Sequence, residues 1–377
     1  MMKVLSRILL VLVLLLIILG TVMVLSASGT YSELRFNNLY FLFKSHLWKV
    51  IGAIASLIIV SIIPYDYYKK YSKQLLLGTL FILIATFMFA PKFKGAARWI
   101  DLGILQFQPS ELAKLILIMH LAELIERKGE LLKDFQHGFR YAIFWIFLVG
   151  GLVLIQPNLS TSMIIVLTSF TLLYIGGSKL KHILYTAGSV SALGIMAMFL
   201  FNHSRERILG FWKSLHGAGE PNTQVLQAKI GLGSGGILGV GLGHSRQSDL
   251  FLPESFGDFI FSVLGEELGF IGSIGVLLLF LSVFVVGVLI AKNAKDEFGK
   301  ILGFGISFNI VVSAFINAGV VMGVLPTTGI TLPFISFGGT SIIIFSISIG
   351  ILMNIARTTE TANNLKMDKV EEKSSKI

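Results

Sequence analysis

The chain contains no cysteine. Disulfides, thiol nucleophiles and cysteine-ligated metals are thereby excluded, while cysteine usage leaves the redox compartment open. Charge is also scarce: 14% of the 377 residues are Asp, Glu, Lys or Arg, against about 25% in a typical soluble domain. No soluble domain, internal repeat or low-complexity segment can be read from the chain. What it has instead is apolar residues, 54% of the total, gathered in long runs. This is the composition of an all-α integral membrane protein. The net charge of +10 is scattered in short basic runs between apolar segments. That pattern marks topology and gives no reason to expect nucleic acid.

The apolar runs predict ten transmembrane helices, at 4–25, 46–64, 74–90, 111–126, 139–155, 161–176, 182–201, 259–291, 298–324 and 341–356. Several are close to the roughly 20 residues a bilayer requires. Ser26-Ala27-Ser28 has the small residues of a signal-peptidase site, but the preceding run is too long for a signal peptide and further spans follow. It reads as a retained anchor. Ten spans put both termini on one side. If that side is cytoplasmic, the inside connections 65–73, 127–140 and 292–300 carry three, four and three basic residues, while the outside turns after Ile155 and Val324 carry none. The positive-inside rule therefore expects both termini in the cytoplasm. Residues 1–357 form a single polytopic membrane domain. It includes a large extracytoplasmic loop, 202–258, between helices seven and eight. The polar tail 358–377 is expected to be disordered.

Asp258 stands just before the hydrophobic run that begins at Phe259. An acid at the mouth of an apolar helix is either a solvated loop carboxylate or a functional group. Lys92, Lys94 and Arg98 cluster on the outer side, against the usual charge bias. They are either tolerated beside headgroups or arranged for an anionic ligand such as a phosphate or pyrophosphate. Gln108-Pro109-Ser110-Glu111 has helix-start chemistry, with Ser110 as an N-cap. Lys114 follows three residues after Glu111 on the same face. It either snorkels outward, pairs with Glu111, or serves a ligand.

Gly231-Leu-Gly-Ser-Gly-Gly236 formally matches a dinucleotide fingerprint, but no strand and helix alternation surrounds it. Its glycines suit a loop folded tightly against the membrane. Glu266 and Glu267 read as favourable charges in a helix's first turns, with shaping of a site as the second reading. Pro326, Pro333, Gly338 and Gly339 interrupt the apolar stretch from 298 to 356. Broken backbone at membrane depth is tolerated where it is buried or lines a cavity. A re-entrant segment is therefore expected, with Thr327, Thr328, Ser336, Thr340 and Ser341 as neutral hydrogen-bonding groups. The alternative is a structural turn between the last two helices.

Five ordered stretches resemble motifs of the SEDS family (shape, elongation, division and sporulation). They are Gly95-Ala96-Ala97-Arg98-Trp99-Ile100; Gln108-Pro109-Ser110-Glu111 with Lys114; Gln156-Pro157-Asn158-Leu159; the Asp258 stretch; and the segment from Asn317 through Pro326, Pro333 and Ser336 to Ser341. They cover nearly the whole chain. Gly241-Leu-Gly-His-Ser245 followed by Leu252-Pro253-Glu254 is similar to division-type more than elongation-type members. The resemblance implies polymerisation of lipid II into glycan strands at the outer face of the bacterial cytoplasmic membrane, at the division septum. It also implies a class B penicillin-binding protein and other division proteins as partners, besides membrane lipid. Asp258 is then the catalytic base. Lys114, Arg98, Lys94, Glu111, Asn158, Ser336, Gly338, Gly339 and Thr340 are the substrate-binding residues.

In this reading Lys114 would stand beside Asp258 and favour its ionised form, while Arg98 with Lys92 or Lys94 would meet the pyrophosphate. The chain departs from the family pattern at Asn158, where most relatives carry aspartate. Asparagine can hydrogen-bond but cannot act as a base, so Asn158 is either an N-cap or a ligand contact. Smaller departures are Gly257 for threonine and Phe337 for tyrosine. No cofactor is assigned, and a divalent cation, magnesium or manganese, is left open. Two other functions stay beside the polymerase: a lipid II flippase and a scaffold that recruits a transpeptidase. An elongation-type polymerase is the nearer alternative.

Overall fold

The computed structural model describes residues 1–90, 98–101, 103, 106–200, 205, 209–212, 223–252 and 254–374. The architecture is an all-α membrane bundle. In lipid a backbone must satisfy its own polar groups, and the apolar runs do so as helices. Among the described residues ten long helices appear in order: α1 Met2–Phe36, α2 Phe41–Ile62, α3 Tyr65–Phe89, α4 Pro109–Lys128, α5 Arg140–Ile155, α6 Leu159–Ile175 and α7 Leu180–Leu200; then, after a short α8 Thr223–Ser234, α9 Ile260–Lys292, α10 Glu297–Val321 and α11 Gly339–Ser374. Among the described residues, seven helices are long and apolar enough to cross a membrane, and α6 is apolar but shorter. Strand structure among the described residues is confined to a two-stranded antiparallel pair, Ile100–Asp101 with Gln106–Phe107.

Local chemistry sets several boundaries. α4 begins with Pro109 in its first turn, where a missing N–H costs nothing. Asp296 caps the start of α10: its carboxylate accepts from the Gly299 N–H at 2.8 Å. α1 runs well past residue 25, because Ser26-Ala27-Ser28 contains no helix breaker, and it stops at Asn37 in the left-handed conformation. α9 bends at Gly269, whose φ of 67° lies outside the helical region.

α11 packs along α2, α9 along α10, and α1 against α9; α4 is enclosed by α3, α5, α6 and α10. At the end of the bundle that holds the N-terminus, Asn354 of α11 accepts from the Tyr65 N–H at 2.8 Å and donates to the Ser61 carbonyl at 2.9 Å. Lys295 pairs with Asp66 at 2.9 Å across the same end. Two expectations change here. The tail from 358 is helical through residue 374, since it contains neither glycine nor proline to end α11. The segment 202–258 contains α8, and the chain after it is bonded to the first turns of α9: Val240 and Gly241 donate to the carbonyls of Glu266 and Glu267.

Candidate functional site

The site forms at the opposite end of the bundle, around residues 322–338 between α10 and α11. This segment is re-entrant. Leu332, Phe334 and Ile335 are buried, and they reach the middle of α1. A β-carbon on Gly20 would lie 2.5 Å from the Phe334 carbonyl oxygen, so the side of α1 is open to the loop only because residue 20 has none. The loop closes on itself: Ser336 Oγ accepts from the Leu332 N–H at 2.8 Å, and the hydroxyls of Thr331 and Ser341 are 2.9 Å apart. Backbone that cannot be helical is thus satisfied inside protein, as membrane depth requires.

Asp258 ends the segment before α9 and is half-buried. Its carbonyl accepts from Asn317 Nδ2 of α10 at 2.7 Å, and the same nitrogen donates to the Ile330 carbonyl at 2.7 Å. One amide therefore ties the Asp258 segment to the re-entrant loop. Gly329, with φ of 73°, lies against the aspartate: a β-carbon there would sit 3.4 Å from Asp258 Oδ2. A second tie is the Phe337 N–H, which donates to the Phe256 carbonyl at 2.9 Å. The carboxylate is presented at the junction of two segments fixed to each other on both sides.

Lys114 and Glu111 form an ion pair of 2.8 Å on α4, with side-chain exposures of 4% and 11%. Among the described residues no ion pair joins Lys114 to Asp258. The expectation of that pairing is corrected: Glu111, one turn earlier on the same face, takes the ammonium. Beyond it Lys114 lines a narrow interior cleft with Thr168 and Ser169 of α6 and Asn309 of α10. Among the described residues Thr168 Oγ1 and Asn309 Oδ1 have no hydrogen-bond partner there.

Three other expected site residues are held by the frame. Arg98 donates from Nε to the Gln156 carbonyl at 3.1 Å and from a terminal nitrogen to the Pro157 carbonyl. Thr340 accepts from the Gln108 N–H at 2.9 Å and donates to the Gln106 carbonyl at 2.8 Å, so it fastens α11 to the strand before α4. Asn158 caps α6 by accepting from the Thr161 N–H, and it donates to Ser110 Oγ at 3.3 Å. The amide oxygen, the atom that could meet a cation, is the one that caps α6. Gly338 and Gly339 lie at the start of α11, and a β-carbon added to Gly338 would lie 3.4 Å from Ser341 and 3.5 Å from Thr331. Lys92 and Lys94 lie outside the described residues.

Glu266 and Glu267 have a larger role than helix-start charges. Both are buried. Glu266 accepts from Ser234, Ser245 and the N–H groups of Arg246 and Gln247, and Glu267 accepts from Ser26 and the Gly243 N–H. They lash the loop after α8 onto α9 and α1. Gly239 makes this approach possible, since with φ of 81° a β-carbon there would fall 2.1 Å from the Glu267 carbonyl oxygen. Sequence reasoning placed Asn317 inside a motif without giving it a task. An amide inside an apolar helix was the available signal.

Comparison with known proteins bears on what this arrangement serves. The family model for cell cycle proteins of the FtsW, RodA and SpoVE type matches residues 6–361. A probable peptidoglycan glycosyltransferase FtsW of Geobacter sp. (strain M18) is 37% identical over 341 residues, covering 89% of this chain and 92% of that one. Stage V sporulation protein E of Bacillus subtilis (strain 168) is 35% identical, covering 93% and 96%. Among solved structures, a chain from a peptidoglycan synthase complex, described as coordinating polymerisation and crosslinking, superposes with a TM-score of 0.76. It is 24% identical and covers 93% of this chain and 97% of that chain. The rod shape determining protein RodA of Thermus thermophilus gives 0.68 at 23% identity, covering 93% and 95%. These two likenesses are of fold.

Proposed function

The chain belongs to the FtsW/RodA/SpoVE family of cell cycle proteins, and from that premise we propose that it is a peptidoglycan glycosyltransferase that polymerises lipid II during cell division. The observation that carries the reading is Asp258. Its carboxylate faces the re-entrant loop at Gly329 while its backbone is locked by Asn317. A sugar hydroxyl is a poor nucleophile at neutral pH, and a positioned carboxylate that takes its proton contributes about 10²–10⁴-fold. In the step we assign, the hydroxyl oxygen of one chain end bonds to the anomeric carbon of the other. The bond from that carbon to the undecaprenyl pyrophosphate oxygen breaks. The hydroxyl proton passes to Asp258, and the electron pair leaves with the pyrophosphate. Displacement of an α-linked donor in this way gives a β linkage, with one carboxylate and no covalent intermediate.

The leaving group needs positive charge where its negative charge develops. Arg98 and Lys114 are our candidates, with Lys94, and each described one has a partner to exchange: Arg98 the Gln156 and Pro157 carbonyls, Lys114 the Glu111 carboxylate. Ser336, Gly338, Gly339, Thr340 and Asn158 border the same region and would shape the sugar-binding surface. The loop end of the bundle faces outward in this reading, and both termini face the cytoplasm. A class B penicillin-binding protein is the partner we assign, working with the other division proteins at the septum.

The test is purified chain with its transpeptidase partner in liposomes, supplied with lipid II. Glycan strands from wild type and none from folded Asp258→Ala are expected, with Asp258→Asn equally silent. Strands from both wild type and variant would remove Asp258 from the mechanism while keeping the polymerase. If an intact complex made none where a control polymerase used the same lipid II, the glycosyltransferase reading would fail, and movement of lipid II across the bilayer would be measured next.

A further inference from the structure

The half-buried Lys49 of α2 has no acidic partner among the described residues. Its Nζ lies 3.7 Å from the centroid of the Phe337 ring. An ammonium within a membrane helix normally pairs with a charge or backs onto water. Here its neighbour is a π face, and that face belongs to the re-entrant loop one residue before Gly338. His46, one turn earlier, is fully buried, neither ring nitrogen is hydrogen-bonded among the described residues, and its ring is 5.8 Å from the same phenylalanine.

Phe337 passes the contact on. Its ring meets Phe256 edge to face, with centroids 5.5 Å apart and planes at 88°, and Phe256 in turn meets Tyr31 of α1 at 5.3 Å and 61°. Its N–H donates to the Phe256 carbonyl at 2.9 Å. Asp258 follows two residues later. The column therefore runs from α2 through the re-entrant loop to the Asp258 segment, and α1 backs it.

We propose that Lys49 is a positioning residue: its ammonium, seated on the Phe337 ring, holds the Phe337 to Phe256 contact and thereby fixes the Asp258 carboxylate for proton abstraction. This rests on the glycosyltransferase reading above. A cation over an aromatic face contributes about 0.5–1 kcal/mol at exposed sites and about 2 kcal/mol when desolvated. Loss of the seat should therefore lower turnover by roughly 2- to 30-fold. A misplaced base weakens the transition state and leaves ground-state binding alone, so the loss should fall on kcat with KM unchanged.

The experiment compares wild type, Lys49→Met, Lys49→Arg, Phe337→Leu and the Lys49→Met/Phe337→Leu pair, each as full chain with its partner in liposomes. Strand synthesis from lipid II and hydrogen exchange at 254–260 and 330–338 are measured on the same samples. The proposal expects lower kcat at constant KM for Lys49→Met, recovery in Lys49→Arg, and a double variant no worse than Phe337→Leu alone. It also expects faster exchange at 254–260 in Lys49→Met. Wild-type kcat in Lys49→Met, a change in KM alone, or additive losses in the double variant would overturn it; the last two would point to direct contact between Lys49 and the pyrophosphate. If folded wild type makes no strands, the glycosyltransferase reading fails by itself. The exchange at 254–260 then decides the mechanical link, with unchanged exchange overturning it.

Discussion

The side-chain amide of Asn317 donates to the main-chain carbonyl of Asp258 at 2.7 Å. The bond matters because it grips the backbone of the proposed base and leaves the carboxylate to other partners. The same nitrogen holds Ile330, so the base and the loop facing it are set by one side chain on a third element. Local hydrogen bonds could not do this. The two carbonyls come from segments far apart in sequence, and α10 is the rigid body both reach.

Asn317→Leu keeps the volume approximately and removes both donors. Two carbonyls at a buried position then lose their partner, at about 1–3 kcal/mol each. We expect a lower thermal midpoint in detergent and at least roughly tenfold slower strand synthesis. Wild-type turnover in a folded Asn317→Leu protein would show that the Asp258 segment is positioned without α10.

The Glu111 and Lys114 pair gives a different kind of test, because each residue compensates the other. Removing one partner of a buried ion pair leaves an uncompensated charge and is destabilising by about 3–5 kcal/mol. Lys114→Met and Glu111→Gln should each unfold at lower temperature. The pair Glu111→Gln/Lys114→Met carries no buried charge and should regain much of the stability. If Lys114 also meets the substrate, the double variant is stable yet slow. Recovery of both stability and strand synthesis would confine Lys114 to a structural role.

Much of this architecture is legible in the sequence. Among the described residues the ten apolar runs fall in ten long helices in the expected order, and Pro326, Pro333, Gly338 and Gly339 announced the re-entrant loop. Sequence is informative here because a membrane leaves the backbone few choices. Partnership is where it gives out. Lys114 had Glu111 and Asp258 as rival acceptors, and only packing distinguishes a neighbour one turn away from one on another helix. Asn317 finds its carbonyls 59 and 13 residues away, so nothing local records them. Glu266 and Glu267 were legible as helix charges. Their hold on the loop after α8 depends on backbone N–H groups, which carry no residue signature.

Gly20 tests the depth of the loop directly. In a straight transmembrane helix a glycine is a weak residue, and replacement by alanine ordinarily favours the helix by up to about 1 kcal/mol. Gly52 of α2 is such a position, with nothing within 4 Å of an added β-carbon, and Gly52→Ala should be neutral or stabilising. At Gly20 the added carbon would lie 2.5 Å from the Phe334 oxygen and 2.6 Å from the Ile335 α-carbon. Both are backbone atoms that cannot rotate aside. Overpacking of this kind costs about 1–3 kcal/mol, and relief requires the loop to retreat from α1. Since that loop carries Gly329 and Phe337 against the Asp258 segment, the retreat should reach the site. We therefore expect Gly20→Ala to lower both the unfolding temperature and strand synthesis while Gly52→Ala lowers neither. Equal behaviour of the two variants would mean that residues 334 and 335 do not reach the middle of α1.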